Sequence, residues 1–150
     1  MNVYIASDHG GYQKKQQLII QLQQQGYHVI DMGATTLLPT DDYPDYALTL
    51  GKKVIQDPTS RGILICGTGI GMSIACNKIN GIRCAKVGDE QEASLARLHN
   101  DANVIALSGR KPEEQLYRFI EIFLTTDFSM AEWHQRRIAK IRAYEEQHEY

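Results

Sequence analysis

The segment best suited to chemistry is Cys66-Gly67-Thr68-Gly69-Ile70-Gly71. It is a glycine-rich turn leading from a short apolar run, Gly62 to Cys66, into a stretch able to form a helix. Free backbone N–H groups and the dipole of a following helix favour an anion at such a turn. The turn lacks the Gly-Lys-Ser/Thr ending of a P-loop, and Met72 stands where a dinucleotide-binding loop needs its third glycine. A Cys-x5-Arg phosphatase loop is excluded as well, because position 72 would have to be arginine. A thiol at a helix start ionises more readily than a free one, so Cys66 can serve as base or nucleophile. An inert core cysteine is the plainer alternative, and Cys76 and Cys84 fit that description.

Other candidates surround this loop in the reading. His9 follows Asp8 at the end of a first apolar run, and His99-Asn100-Asp101 precedes the last one. Histidine is suited to proton transfer near neutral pH, and His99 is expected on the same rim as Cys66. Arg110, with Arg136 and Arg137 beside Trp133 and His134, offers forked donors matched to phosphoryl oxygens, although a solvated charged helix face would look the same.

The elements that must position these residues alternate. Asn2 to Asp8, Tyr27 to Asp31, Gly62 to Cys66, Ile82 to Val87 and Val104 to Leu107 read as strands. Helices are expected over Lys14 to Gln25, from Pro44 to before Pro58, over Ile70 to Ile79 and over Glu90 to Leu98. Asp41, Asp42 and Tyr43 then fall in a loop. Leu116, Phe119, Ile120, Phe123 and Leu124 form an amphipathic stripe, and a charged helix runs from about Met130 to the end. Such alternation implies an α/β, doubly wound (Rossmann-like) parallel sheet of about five strands, with helices on both faces and an extended C-terminal helix. Ligands of these sheets bind at the carboxyl ends of the strands, where Asp8, His9, the Cys66 loop and Ser108 to Arg110 converge.

The 150 residues suit one domain, 1–150, and a net charge of -2 gives no broad basic surface for nucleic acid or acidic lipid. No apolar run approaches the ~20 residues of a membrane span, and no leader precedes the first strand, so a cytoplasmic protein is expected. Three cysteines without a C-x-x-C pair argue against disulfides and structural zinc.

Longer motifs carry a resemblance. SDHGG, DYPDYA, ICGTGIGMSIACNKINGIR, HNDANVIALSGR and HQRRIAKI together resemble ribose-5-phosphate isomerase B, within the group that includes galactose-6-phosphate isomerase subunits. The resemblance implies a metal-free, cofactor-free isomerase of the pentose phosphate pathway. In it Cys66 removes the C2 proton of ribose 5-phosphate to give an enediolate, and the same proton returns at C1. His99 would be the acid that opens the furanose ring, with Asp8 and Tyr43 near the ring oxygen and hydroxyls. Gly67, Thr68, Gly69, Ile70, Gly71 and Asn100 would hold the enediolate oxygens, with Thr68 counted among the catalytic residues.

The same resemblance has His9 and Arg110 face the phosphate, while two arginines four apart on the last helix reach across a homodimer, with a tetramer as the larger assembly. Arg137 matches the second of these; Trp133 occupies the position of the first. His99 favours a pentose over a six-carbon sugar phosphate. Trp133 leaves open another aldose phosphate, and a non-catalytic sugar-phosphate-binding module is the remaining alternative.

Overall fold

Alternating β-branched and apolar runs form five parallel strands in a computed structural model that describes residues 1–148. The strands are β1 (Asn2–Ser7), β2 (His28–Asp31), β3 (Arg61–Cys66), β4 (Cys84–Lys86) and β5 (Val104–Ser108), ordered β2-β1-β3-β5-β4. The register aligns Ser7 with Ile65 and Cys66 with Ser108, so β1, β3 and β5 end together. Intervening helices are α1 (Tyr12–Gln24), α2 (Tyr43–Gln56), α3 (Ile70–Cys76) and α4 (Glu90–Leu98), followed by α5 (Glu113–Thr125) and α6 (Glu132–Gln147).

The two faces follow from right-handed crossovers. Steps toward the β2 edge, β1 to β2 and β4 to β5, put α1 and α4 on one face; steps the other way put α2 and α3 on the opposite face. On the first face Leu18 and Leu22 of α1 and Leu116, Phe119, Ile120 and Phe123 of α5 pack on Val3, Ile5, Ile63, Ile65, Ile105 and Leu107. On the second, Ala47, Leu50, Val54, Met72 and Cys76 cover Tyr4, Ala6, Leu64, Val104 and Ala106. Each such fully buried large side chain stabilises by about 1.5–3 kcal/mol relative to exposure, so the frame is held from both sides of the sheet.

Most expected elements are present, with shifted ends. Tyr43 is the first residue of α2 rather than part of the preceding loop, because Pro44 fits the first turn and draws its neighbour in. The helix expected to Ile79 stops at Cys76, since the Asn77 side chain instead caps the start of β4 by bonding both the N–H and the C=O of Cys84. β4 itself shrinks to three residues at the sheet edge. The last helix begins at Glu132, past Met130 in a positive-φ conformation (61°), and its expected continuation to residues 149–150 lies outside the described residues. No described helix is long and apolar enough to cross a membrane.

Candidate active site

The carboxyl edge of the sheet gathers most of the candidates. Along β1, Tyr4 and Ala6 face α2 and α3, and the two-residue period sends Asp8 to that side as well; Leu64 and Cys66 of β3 do the same. A β-carbon at Gly10 would stand 2.7 Å from Gly67 N, and one at Gly67 would stand 3.9 Å from Arg110 Nη2, so the turns after β1, β3 and β5 touch. Ser108 Oγ donates to Gly67 O at 2.8 Å and Gly109 N–H to Cys66 O at 2.8 Å, pinning the last two together. The Tyr43 ring lies against Gly71, where a β-carbon would approach it to 2.7 Å.

Within this rim the Cys66 sulfur accepts the Gly69 N–H at 3.1 Å. Cys66 is buried, 5% exposed, at the carboxyl end of β3. The bond requires the backbone reversal at Gly69, whose φ is +81° and whose missing β-carbon would come within 3.1 Å of the Leu107 carbonyl carbon. Only glycine meets both demands without strain. Thr68 Oγ1 accepts the Ile70 N–H at 3.2 Å, closing the turn into α3.

Charge at the rim is set by Asp8, His9 and Asp41. Asp8 caps the following 3-10 turn by accepting Gly10 N–H at 2.9 Å, yet burial outweighs that bond and pushes its carboxyl above the usual aspartate range. His9 Nδ1 lies 2.7 Å from Asp41 Oδ1, and this contact raises the imidazole above the ordinary histidine value against a smaller opposing effect of burial. For Asp41, burial pulls upward but the bonds from the His9 ring and backbone prevail and hold it low. A cleft of about 200 Å³ lined by His9, Gly10, Gln13, Lys14, Leu37 and Gly109 opens beside them. One donor atom from each of Asp8, His9 and Asp41 lies within 4.8 Å of the others, a cluster held together by the His9–Asp41 hydrogen bond.

His99 and Asn100 are elsewhere, which corrects their expected position on the Cys66 rim. α4 carries the chain back from the carboxyl end of β4 to the amino end of β5, so a residue that closes α4 belongs to the amino edge. The four steps from Val104 to Ser108 alone span about 13 Å. Arg83, just before β4, fixes this corner by donating through Nε to Asn100 O at 2.9 Å. Buried Arg97 braces it further, reaching Asp101 Oδ1 at 2.9 Å, Ala102 O at 2.7 Å and Thr126 O at 3.0 Å.

At the amino edge His99 stacks on His134 of α6, ring centroids 4.3 Å apart and 22° between planes. Burial first, then the neighbouring His99 and Arg137, push His134 below the ordinary histidine value, so it resists a second positive charge here. Arg136 and Arg137 are exposed on α6, as is Trp133. Two clefts of about 510 and 360 Å³ flank α6, both larger than the one at His9 and neither containing Cys66.

Comparison with known proteins gives this divided arrangement a family. The family model described as Ribose/Galactose Isomerase matches residues 3–141. The chain belongs to the ribose/galactose isomerase family. It is 49% identical over 145 residues to a Mycoplasma pneumoniae protein named "Probable ribose-5-phosphate isomerase B", covering 95% of this chain and 94% of the relative. It is 41% identical over 150 residues to ribose-5-phosphate isomerase B of Mycobacterium tuberculosis, covering 99% and 93%. Among solved structures, the Mycoplasma genitalium isomerase B with bound ribulose-5-phosphate superposes with a TM-score of 0.93 at 40% identity, covering 97% of each chain. The Clostridium thermocellum isomerase B gives 0.94 at 38% identity, covering 99% of this chain and 100% of that one.

The carboxyl-edge candidates named from the motifs, Asp8, His9, Tyr43, Cys66, Gly67, Thr68, Gly69, Ile70, Gly71 and Arg110, thus come together in one chain, while His99, Asn100 and Arg137 do not join them. Two neighbours of these residues, Asp41 and His134, had no role assigned from the sequence, whereas Ser108 stands on the rim as expected. Only the acidic pair preceding Tyr43 hinted at the first.

Proposed function

We propose that this chain interconverts D-ribose 5-phosphate and D-ribulose 5-phosphate, with Cys66 as the base. The observation that carries the reading is the Gly69 N–H held at 3.1 Å from the Cys66 sulfur at the mouth of the anion-favouring loop. The likeness to the Mycoplasma genitalium isomerase with bound ribulose-5-phosphate supports the substrate. Cys66 thiolate takes the proton from C2 of the open aldose; the C–H electron pair forms the C1–C2 double bond, and the carbonyl oxygen O1 becomes an oxyanion. With Gly69 N–H committed to sulfur and Ile70 N–H to Thr68, the donors of Gly67, Thr68 and Gly71 are suited to that oxyanion. The protonated thiol returns its proton to C1, and the O2 proton passes to O1, leaving the ketose. Asp8 and Tyr43 steady the ring oxygen and hydroxyls, and His9 with Arg110 receives the phosphate.

The ring-opening acid must then come from a second copy. His99 and Asn100 are exposed at the far edge of their own sheet, as is Arg137 on α6, so a homodimer that seats one chain's amino edge over the other's carboxyl edge would complete two equivalent sites. The large apolar side chains exposed on and beside α6, Met130, Trp133, Ile141 and Tyr144, support such a contact.

The test is exchange of solvent deuterium into C1 or C2 of ribose 5-phosphate during turnover, read by NMR beside a coupled assay for ribulose 5-phosphate. Turnover with proton movement supports the isomerase; binding with neither would leave a passive sugar-phosphate receptor. Trp133, 53% exposed and adjacent to His134, favours one second reading, an isomerase whose distal end is adapted to a different aldose phosphate. Comparing kcat/KM on five- and six-carbon phosphates for wild type and Trp133→Arg separates them. A gain of about tenfold on ribose 5-phosphate in the variant marks a missing phosphate clamp.

A further inference from the structure

Asp41 makes two bonds to one residue. Its Oδ1 accepts the His9 backbone N–H at 3.0 Å and lies 2.7 Å from His9 Nδ1, across 32 residues of chain. The Asp41 side chain is 6% exposed while that of His9 is 44% exposed, so the carboxylate is a fixed base under a ring that reaches outward. Its second oxygen is enclosed beside Tyr46, whose phenol is pushed up by burial and then by its hydrogen bond with Asp41.

We infer that Asp41 is the positioning residue for His9, fixing Nδ1 as a donor and holding the ring charged, so that Nε2–H is aimed outward at a phosphate. The inference rests on the phosphate role given to His9 above. Nε2 has no partner among the described residues, and the ring forms one wall of the adjoining cleft. A neutral imidazole with Nδ1–H bound to Asp41 would present a bare lone pair at Nε2, which repels an anion. A charged one presents a donor. The charged groups acting on the ring are Asp41 and Asp8, which favour its proton, and Lys14 of α1 lines the same cleft. The carboxylate in direct contact dominates.

The experiment titrates His9 by NMR in the assembled protein, with inorganic phosphate as the probe, in wild type, Asp41→Asn, His9→Gln and the double variant. Wild-type His9 is expected to titrate above the ordinary value of 6.5. In Asp41→Asn its midpoint falls, and the phosphate Kd and the KM for ribose 5-phosphate near pH 7.5 rise about tenfold with kcat changed less than about twofold. In the His9→Gln background Asp41→Asn adds nothing. A wild-type midpoint at or below 6.5 overturns the inference without any variant. So does an unchanged midpoint in Asp41→Asn, or an equal loss of phosphate binding with Gln at position 9, the mark of a mere loop brace. Because midpoint and phosphate Kd need no turnover, they stand or fall separately from the isomerase reading.

Discussion

Mixing two inactive variants would test the divided site. Cys66→Ala removes the proposed base at the carboxyl edge, and His99→Leu removes the proposed acid at the amino edge, about 13 Å or more away along the sheet. Each alone should lose about 100- to 10,000-fold in kcat. In a mixed dimer, the site built from the unaltered Cys66 of one chain and the unaltered His99 of the other is intact, and its companion carries both defects. Random reassortment gives about half mixed dimers, each with one working site of two, so about a quarter of wild-type activity should return. The assay is a coupled ribulose 5-phosphate readout on subunits co-refolded from equal amounts of each variant. Were both residues to serve a site within one chain, each mixed dimer would hold two damaged sites. Activity no greater than the sum of the parents would therefore refute the arrangement.

Two further outcomes are expected. Burial raises the Asp8 carboxyl, so as pH falls it takes up a proton before an ordinary aspartate would; the acid limb of kcat/KM should begin above about pH 3.9 and vanish in Asp8→Asn, as a pH–rate series would show. Gly69→Ala must hold a side chain at φ +81° against the Leu107 carbonyl, at a cost above about 1–2 kcal/mol. Thermal melts should drop by roughly 4 °C or more, and kcat should fall with the loss of the bond to Cys66.

Much of this molecule could be read before it was seen, for physical reasons. Gly62 to Cys66 is wholly apolar because β3 is covered on both faces, and the stripe from Leu116 to Leu124 is the buried face of α5. The strand order was not legible: β5 enters between β3 and β4 although it follows both, and no local signal marks which strands pair. The misplacement of His99 has a different origin. Strand-helix alternation already implies that each crossover helix returns the chain to the amino edge, so a residue after α4 and before β5 could not share a rim with Cys66. The Asp41–His9 pair was invisible because the segment between β2 and α2 has no periodicity, and its partner lies 32 positions away.

The most direct measurement concerns the sulfur. Ribose 5-phosphate deuterated at C2 should be converted by the wild-type protein with a slowed rate and with label found at C1 or lost to water, as the base role proposed for Cys66 requires. Cys66→Ala should bind the same sugar phosphate with Kd within about threefold of wild type, yet neither turn it over nor exchange its C2 hydrogen. Turnover by the alanine variant at a rate close to wild type would contradict the account.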